Sequence, residues 1–143
     1  MADLHKSFKI RPFQAEDKDD IAKLWKDCDL VVPLNDPIRD INTKIQFQPD
    51  LFLVGELNNK VIASVMIGYE GHRGWINYLA VSPLFQNNGL GKLLMNKAED
   101  MLQEMGCLKI NLQVREHNTQ VIEFYRNLGY QDDHVISMGK RLT

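Results

Sequence analysis

A chain of 143 residues, 44% hydrophobic and a quarter charged, has the size and balance of one compact domain, expected here to span residues 1–143. Its 17 basic and 19 acidic side chains leave a net charge of −2 with no block of like charge, which argues against a broad nucleic-acid-binding surface. No run approaches the roughly 20 apolar residues of a membrane span, and Met1 to Ile10 lacks the apolar stretch of a signal peptide. Cys28 and Cys107 have neither CxxC spacing nor histidines arranged around them as for a metal. The expectation is a cytoplasmic monomer or homodimer with reduced thiols, no metal, no nucleic acid and no membrane.

In chain order, Phe8 to Pro12 reads as a first strand, and Ile21, Leu24, Trp25 and Cys28 then fall at helical spacing behind acidic residues suited to a helix N-terminus. A second helix is expected through Ile38, Ile41 and Ile45, ending before Pro49. Leu51 to Leu57 and Val61 to Tyr69 form a hairpin about Asn58-Asn59, and Trp75 to Val81 adds a third strand between the Gly71 to Gly74 turn and Ser82-Pro83. The longest helix begins near Gly89, with Leu90, Leu93, Leu94, Ala98, Met101, Leu102 and Met105 on one face and Gly106 as its cap.

Leu108, Ile110, Leu112 and Val114 alternate with Lys109, Asn111, Gln113 and Arg115, the pattern of a half-buried strand. A helix over Thr119 to Leu128 follows, closed by Gly129. Ile136, Met138 and Leu142 finish the chain at strand spacing, expected to pair with a strand around Gln131. There are no repeats or linkers, so the fold class is α/β: a mixed, mostly antiparallel sheet flanked by about four helices.

The segment Gln86-Asn87-Asn88-Gly89-Leu90-Gly91-Lys92 lies between a strand end and a helix start, where unpaired amides and the helix dipole favour an anion. Glycine at 89 and 91 lets a phosphate approach the backbone, and Lys92 adds charge. A plain strand-to-helix turn accounts for a lone Gly-x-Gly equally well. A Walker loop would need glycine at Gln86 and Ser or Thr at Leu93, and a dinucleotide fingerprint would need Gly or Ala at Leu94, so neither fits.

The pattern Gln86, Gly89 and Gly91, directly after Tyr78-Leu79-Ala80-Val81 and Ser82-Pro83, resembles the pyrophosphate-binding motif of GNAT acetyltransferases. Asn118, Phe124-Tyr125 and Leu128-Gly129-Tyr130 are similar to that family's second signature, on the helix after the fifth strand. The resemblance covers essentially the whole chain, and Val114-Arg115 with Asn118 looks closest to the ribosomal-protein N-terminal alanine acetyltransferases.

This resemblance implies an acetyl-CoA-dependent N-acetyltransferase acting by direct attack of a primary amine, with either a small molecule or a protein N-terminus as acceptor. It implies that the amides of Asn87, Asn88, Gly89, Leu90, Gly91 and Lys92, with Gln86, hold the CoA pyrophosphate. The backbone of Leu79, Ala80 and Val81 would pair with the pantetheine arm, a backbone N–H near Leu79 serving the thioester carbonyl as oxyanion donor.

Tyr125 is implied as general acid, since an un-ionised phenol of ordinary pKa about 10 can protonate a departing thiolate at neutral pH. Val121, Ile122, Tyr125 and Leu128 also make an ordinary apolar helix face. Asn118 either bonds the cofactor or caps its helix, or does both. The alanine-acetylating relatives carry a glutamate base on the fifth strand, where this chain has Gln113, which accepts no proton. Glu70 and Glu116 are the nearest substitutes, and for each a solvated turn charge is the simpler account; His72 and His117 are loop histidines of similar standing. The alternative from another class is a CoA-binding sensor module that does not catalyse.

Overall fold

A computed structural model describes residues 2–143, with side chains from Leu4 onward; Met1, which opens the segment read above for a signal peptide, lies outside the described residues. The order of elements is α1 (Ala2–Ser7), β1 (Phe8–Pro12), α2 (Lys18–Asp27), α3 (Pro37–Lys44), β2 (Phe52–Leu57), β3 (Lys60–Tyr69), β4 (Gly74–Val81), α4 (Leu90–Glu104), β5 (Ile110–Leu112) and α5 (Thr119–Asn127). The sheet order follows the sequence, β1-β2-β3-β4-β5, and the β1–β2, β2–β3 and β3–β4 pairs are antiparallel. The α/β class and the mostly antiparallel sheet match expectation. The described residues hold five helices rather than four, because α1, at six residues, is too short to show a period.

The chain forms two compact units, one ending at Asn111 and one running from Leu112 to Thr143. Within the first, local chemistry sets the boundaries. Asp36 caps α3 by accepting from the Ile38 N–H at 3.0 Å, with Pro37 preset for the first turn. Asn58 and Asn59 both adopt positive φ, as a two-residue hairpin with the twist of its strands requires. Gly106, at φ 88°, stops α4 as its position in the sequence suggests.

The strands of this unit bury side chains on both faces. From the even-numbered face of β3, Ser64 accepts the Trp25 indole N–H of α2, and Trp25 joins Ile21, Leu24, Ile41, Phe52, Val54 and Ala80 in one cluster. Gly74 points to the other face, where a Cβ would lie 2.8 Å from Leu102 of α4. There α4 packs on β3 and β4 and buries Leu90, Leu94, Met95, Ala98 and Leu102. Among the described residues one charged group is buried: Asp17, 4% exposed, receives a fork from Arg11 at 2.8 and 3.0 Å and the Gln14 N–H at 2.8 Å, while Arg11 also donates to Glu56 at 3.0 Å.

The second unit is sparser, and within it and in the residues leading into it the structure corrects the sequence reading. The strand expected over Leu108 to Arg115 is only Ile110–Leu112, with Leu108 left 93% exposed. Residues 130–143 contain no helix or strand, and Ile136, Met138 and Leu142 are all exposed where a terminal strand pair was expected. Alternation records which side of a strand would be buried. A strand exists only where a neighbour takes up its N–H and C=O groups, and these residues carry no ladder. Helix α5 forms as expected, its end closed by Gly129 at φ 96°.

Candidate active site

In the first unit the candidate site is built on an irregularity in β4. Ser64 pairs with Ala80 but Met66 pairs with Asn77, so β4 spends one more residue than β3 over the same length. The extra residue is a β-bulge, with Tyr78 in the left-handed region at φ 52°. A left-handed tyrosine is unfavourable by itself and persists only where its surroundings hold it.

They hold it from three directions. The Tyr78 ring stacks on Trp25 with centroids 3.7 Å apart, its carbonyl accepts from the Ser64 hydroxyl at 2.8 Å, and its phenol donates to Asp40 of α3 at 2.6 Å. Ser64 in turn accepts the Trp25 N–H at 2.9 Å, so a buried chain Trp25–Ser64–Tyr78 pins the bulge to α2 and β3. Burial, with the Asp40 carboxylate beside it, drives the Tyr78 phenol well above its ordinary pKa, so it stays protonated. The bulge takes Leu79 out of the regular β3 ladder, and Ala80 and Val81 resume it. Neither Ser64 nor Asp40 stood out in the sequence, because a lone polar residue has no period.

Beyond Val81 the chain makes the loop that carries the glycine motif. The Gln86 side chain donates to the Val81 carbonyl at 2.9 Å, and Asn88 donates to the carbonyls of Phe85 and Gln86, each at 3.1 Å. Gln86 and Asn88 therefore close the loop on itself. Asn87 and Gly89 have φ of 65° and 80°.

Gly89 is the N-cap of α4 and provides no side-chain cap, so the cap residue offers the first-turn amides of α4 no acceptor, the setting in which a helix start binds a diphosphate. A Cβ at Gly89 would sit 3.2 Å from the ring of His5, which hydrogen-bonds the Asn88 carbonyl from α1. Lys92 is exposed one turn along, Gly91 is half-buried and Leu90 is anchored in the core. The residues present fit the pyrophosphate of an acetyl-CoA.

Glu70 has a different setting. Its carboxylate accepts the backbone N–H groups of Arg73 and of His72, the latter at 2.6 Å, and the Trp75 indole N–H at 3.4 Å. The Arg73 and His72 N–H groups hold its pKa below the ordinary carboxylate value despite some desolvation. It braces the β3–β4 turn as a fixed negative charge.

In the second unit, Tyr125 is buried, with Phe124 and Tyr130 packed edge-on at centroid distances of 5.1 and 5.6 Å. Burial pushes its phenol well above the ordinary value and keeps the proton on it. Asn118 occupies the N-cap position of α5 but makes no side-chain cap bond. The Gln113 amide donates to the Ser137 hydroxyl, and Gln113, Glu116 and His117 are exposed. Among the described residues no group of three or more His, Cys, Asp or Glu is placed to hold a metal, and no helix is long and apolar enough to cross a membrane.

Comparison with known proteins gives consistent results. The model of the Acetyltransferase (GNAT) family matches residues 12–130. An acetyltransferase of Yersinia pestis (strain Pestoides F) is 44% identical over 134 residues, 94% of this chain and 95% of that protein. Among solved structures, the NatC complex bound to Gag peptide and CoA is similar at a TM-score of 0.75 and 24% identity, over 85% of this chain and 83% of that one. An aminoglycoside acetyltransferase from an uncultured soil metagenomic sample reaches a TM-score of 0.76 at 20% identity, over 98% and 99%. At such identities these two structures share the fold.

Proposed function

The chain belongs to the acetyltransferase (GNAT) family, and on that footing we propose that it transfers the acetyl group of acetyl-CoA to a primary amine by direct attack within a ternary complex. The observation that carries this is the bulged β4 running into a glycine-gated loop at the uncapped start of α4. The amides of residues 87–92 bind the diphosphate, and the backbone of Leu79 to Val81 aligns the pantetheine and presents an N–H to the thioester carbonyl. Tyr125, whose burial keeps it protonated, delivers a proton to the thiolate as the C–S bond breaks. The two units act as one domain, a reading supported by the family match, which runs across their boundary.

The acceptor is a small-molecule amine or a peptide N-terminus. Relatives of the same fold include an aminoglycoside acetyltransferase and a complex holding a peptide. The narrower likeness to the ribosomal-protein alanine acetyltransferases favours the N-terminus, and so does acid–base chemistry. Gln113 accepts no proton, so the acceptor must arrive partly neutral. An α-amino group of pKa about 8 is roughly a tenth neutral at pH 7, and a lysine of pKa about 10.4 under roughly a thousandth.

Two measurements test the proposal. Calorimetry with CoA should give saturable binding, and thiol release with amines and N-terminal peptides should find at least one acceptor. Tyr125→Phe should then lower kcat by about 10²-fold or more while CoA affinity changes by about twofold at most. Binding of CoA with no acceptor acetylated would favour the sensor alternative. No binding at all would remove both.

A further inference from the structure

The end of the β3–β4 hairpin carries a feature that donor binding does not use. A shallow cleft of about 500 Å³ is lined by Phe47, Gln48, Tyr69, Glu70 and Trp75, with Gly68 in its floor. Gly68 pairs with Trp75 across the ladder, and its missing side chain leaves the sheet face open there. One wall is held in place by Gln48, itself in the left-handed region at φ 55°. The Gln48 side-chain amide donates to the Tyr69 carbonyl at 2.6 Å and accepts the Tyr69 N–H at 3.1 Å, pairing with β3 as another strand would. The loop after α3 is thereby fastened to the sheet with Phe47 beside the cleft, 66% exposed, and Trp75 opposite it, 37% exposed.

The charge in this cleft is of one sign. Glu70 is its acidic residue, and no basic side chain lines it. The ammonium of Lys44, the nearby base of α3, is half-buried and donates to the Ile67 carbonyl, while the Arg73 guanidinium donates to the His72 carbonyl at 3.1 Å. Two aromatic side chains, Phe47 and Trp75, beside the Glu70 carboxylate attract an organic cation.

We propose that this cleft binds a cationic group on the acceptor, separate from the nitrogen that is acetylated. The inference rests on the acetyl-transfer reading, which sets the reacting carbon beside Leu79. Trp75 lies four residues before Leu79 on β4, and at about 3.3 Å per residue the two sites are about 10–13 Å apart. The acceptor class is therefore a peptide whose N-terminal amine, partly neutral, is the nucleophile and whose basic side chain beyond it carries the charge the cleft holds, with long α,ω-diamines as its simplest probes.

Trp75 itself reports the test, because the only other tryptophan, Trp25, is fully buried. Octane- and decane-length α,ω-diamines and the matching monoamines should quench Trp75 fluorescence saturably, and the neutral alkanediols should not. Glu70→Gln, which keeps an acceptor for the turn and removes the charge, should weaken the diamine about threefold or more, as should Phe47→Ala. In the acetyl-transfer assay kcat/KM for the long diamines should exceed that for the monoamines and for butanediamine by about fivefold or more, and Glu70→Gln should erase the difference.

No saturable quenching by the long diamines, or quenching unchanged in both variants, overturns the cation site whatever the enzyme does. Saturable binding with equal kcat/KM for diamine and monoamine overturns its role in acceptor choice. Saturable, charge-dependent binding by a protein that acetylates no amine supports the cleft and counts against acetyl transfer instead.

Discussion

The two units bury their side chains to very different degrees. Every buried hydrophobic side chain of the described residues except Tyr125 lies in the unit that ends at Asn111, and the second unit leaves Val135, Ile136, Met138 and Leu142 exposed. The first unit contains the candidate donor-binding backbone, which has to be rigid to hold a diphosphate and a thioester in register. The second contributes a helix with one buried phenol. The difference teaches that the stability of the fold and the proposed proton donor are carried by separate stretches of chain, so substitutions can address them separately.

The largest effect on stability is expected at Arg11. Its fork neutralises the buried Asp17, and Arg11→Ala leaves that carboxylate without its partner at a cost of about 3 kcal/mol in urea-induced unfolding. The same pair gives a pH dependence. Burial pushes the Asp17 carboxyl up, but the Arg11 and Gln14 donors outweigh it and leave its pKa below the ordinary value. A depressed carboxylate stabilises the fold above its unfolded pKa of about 3.9 and loses that contribution as the pH falls through the folded value. Acid unfolding should therefore begin at a higher pH in Arg11→Ala than in the parent, and coincident acid transitions would show that the pair does not stabilise the first unit.

Ser64→Ala should cost less, about 2 kcal/mol, since it removes one hydroxyl and leaves the Trp25 N–H and the Tyr78 carbonyl short of a partner. Because the carbonyl belongs to the bulge, kcat should fall with it, and Ser64→Thr should restore part of both. A variant as stable as the parent with an unchanged kcat would mean that the bulge holds its shape without the hydroxyl.

How far the sequence discloses all this depends on the kind of signal. Ile21, Leu24 and Trp25, the Asn58-Asn59 turn and the Gly106 stop are local and periodic, and each element they announce is found within a residue or two of its expected ends. The glycine loop is equally local. The bulge at Tyr78 is not, because it depends on a serine fourteen residues upstream and on an aspartate of α3. The Gln48 pairing to Tyr69 is hidden for the same reason, as a side chain acting as backbone leaves no pattern. At the chain's end the failure is opposite: Ile136, Met138 and Leu142 present a pattern with no ladder to realise it.

The smallest effect is expected at that end, and it is the most direct way to break the contrast between the units. Met138 and Leu142 are 91% and 90% exposed, so replacing either with serine removes almost no buried surface and should change stability by about 0.5 kcal/mol or less. A side chain of either kind that is fully buried is worth about 1.5–3 kcal/mol, well above that bound. A loss of a kilocalorie or more in urea-induced unfolding of Met138→Ser would therefore mean that the side chain is covered in solution. The alternation read in residues 136–142 would then describe a real buried face, and the second unit would share in the stability assigned here to the first alone.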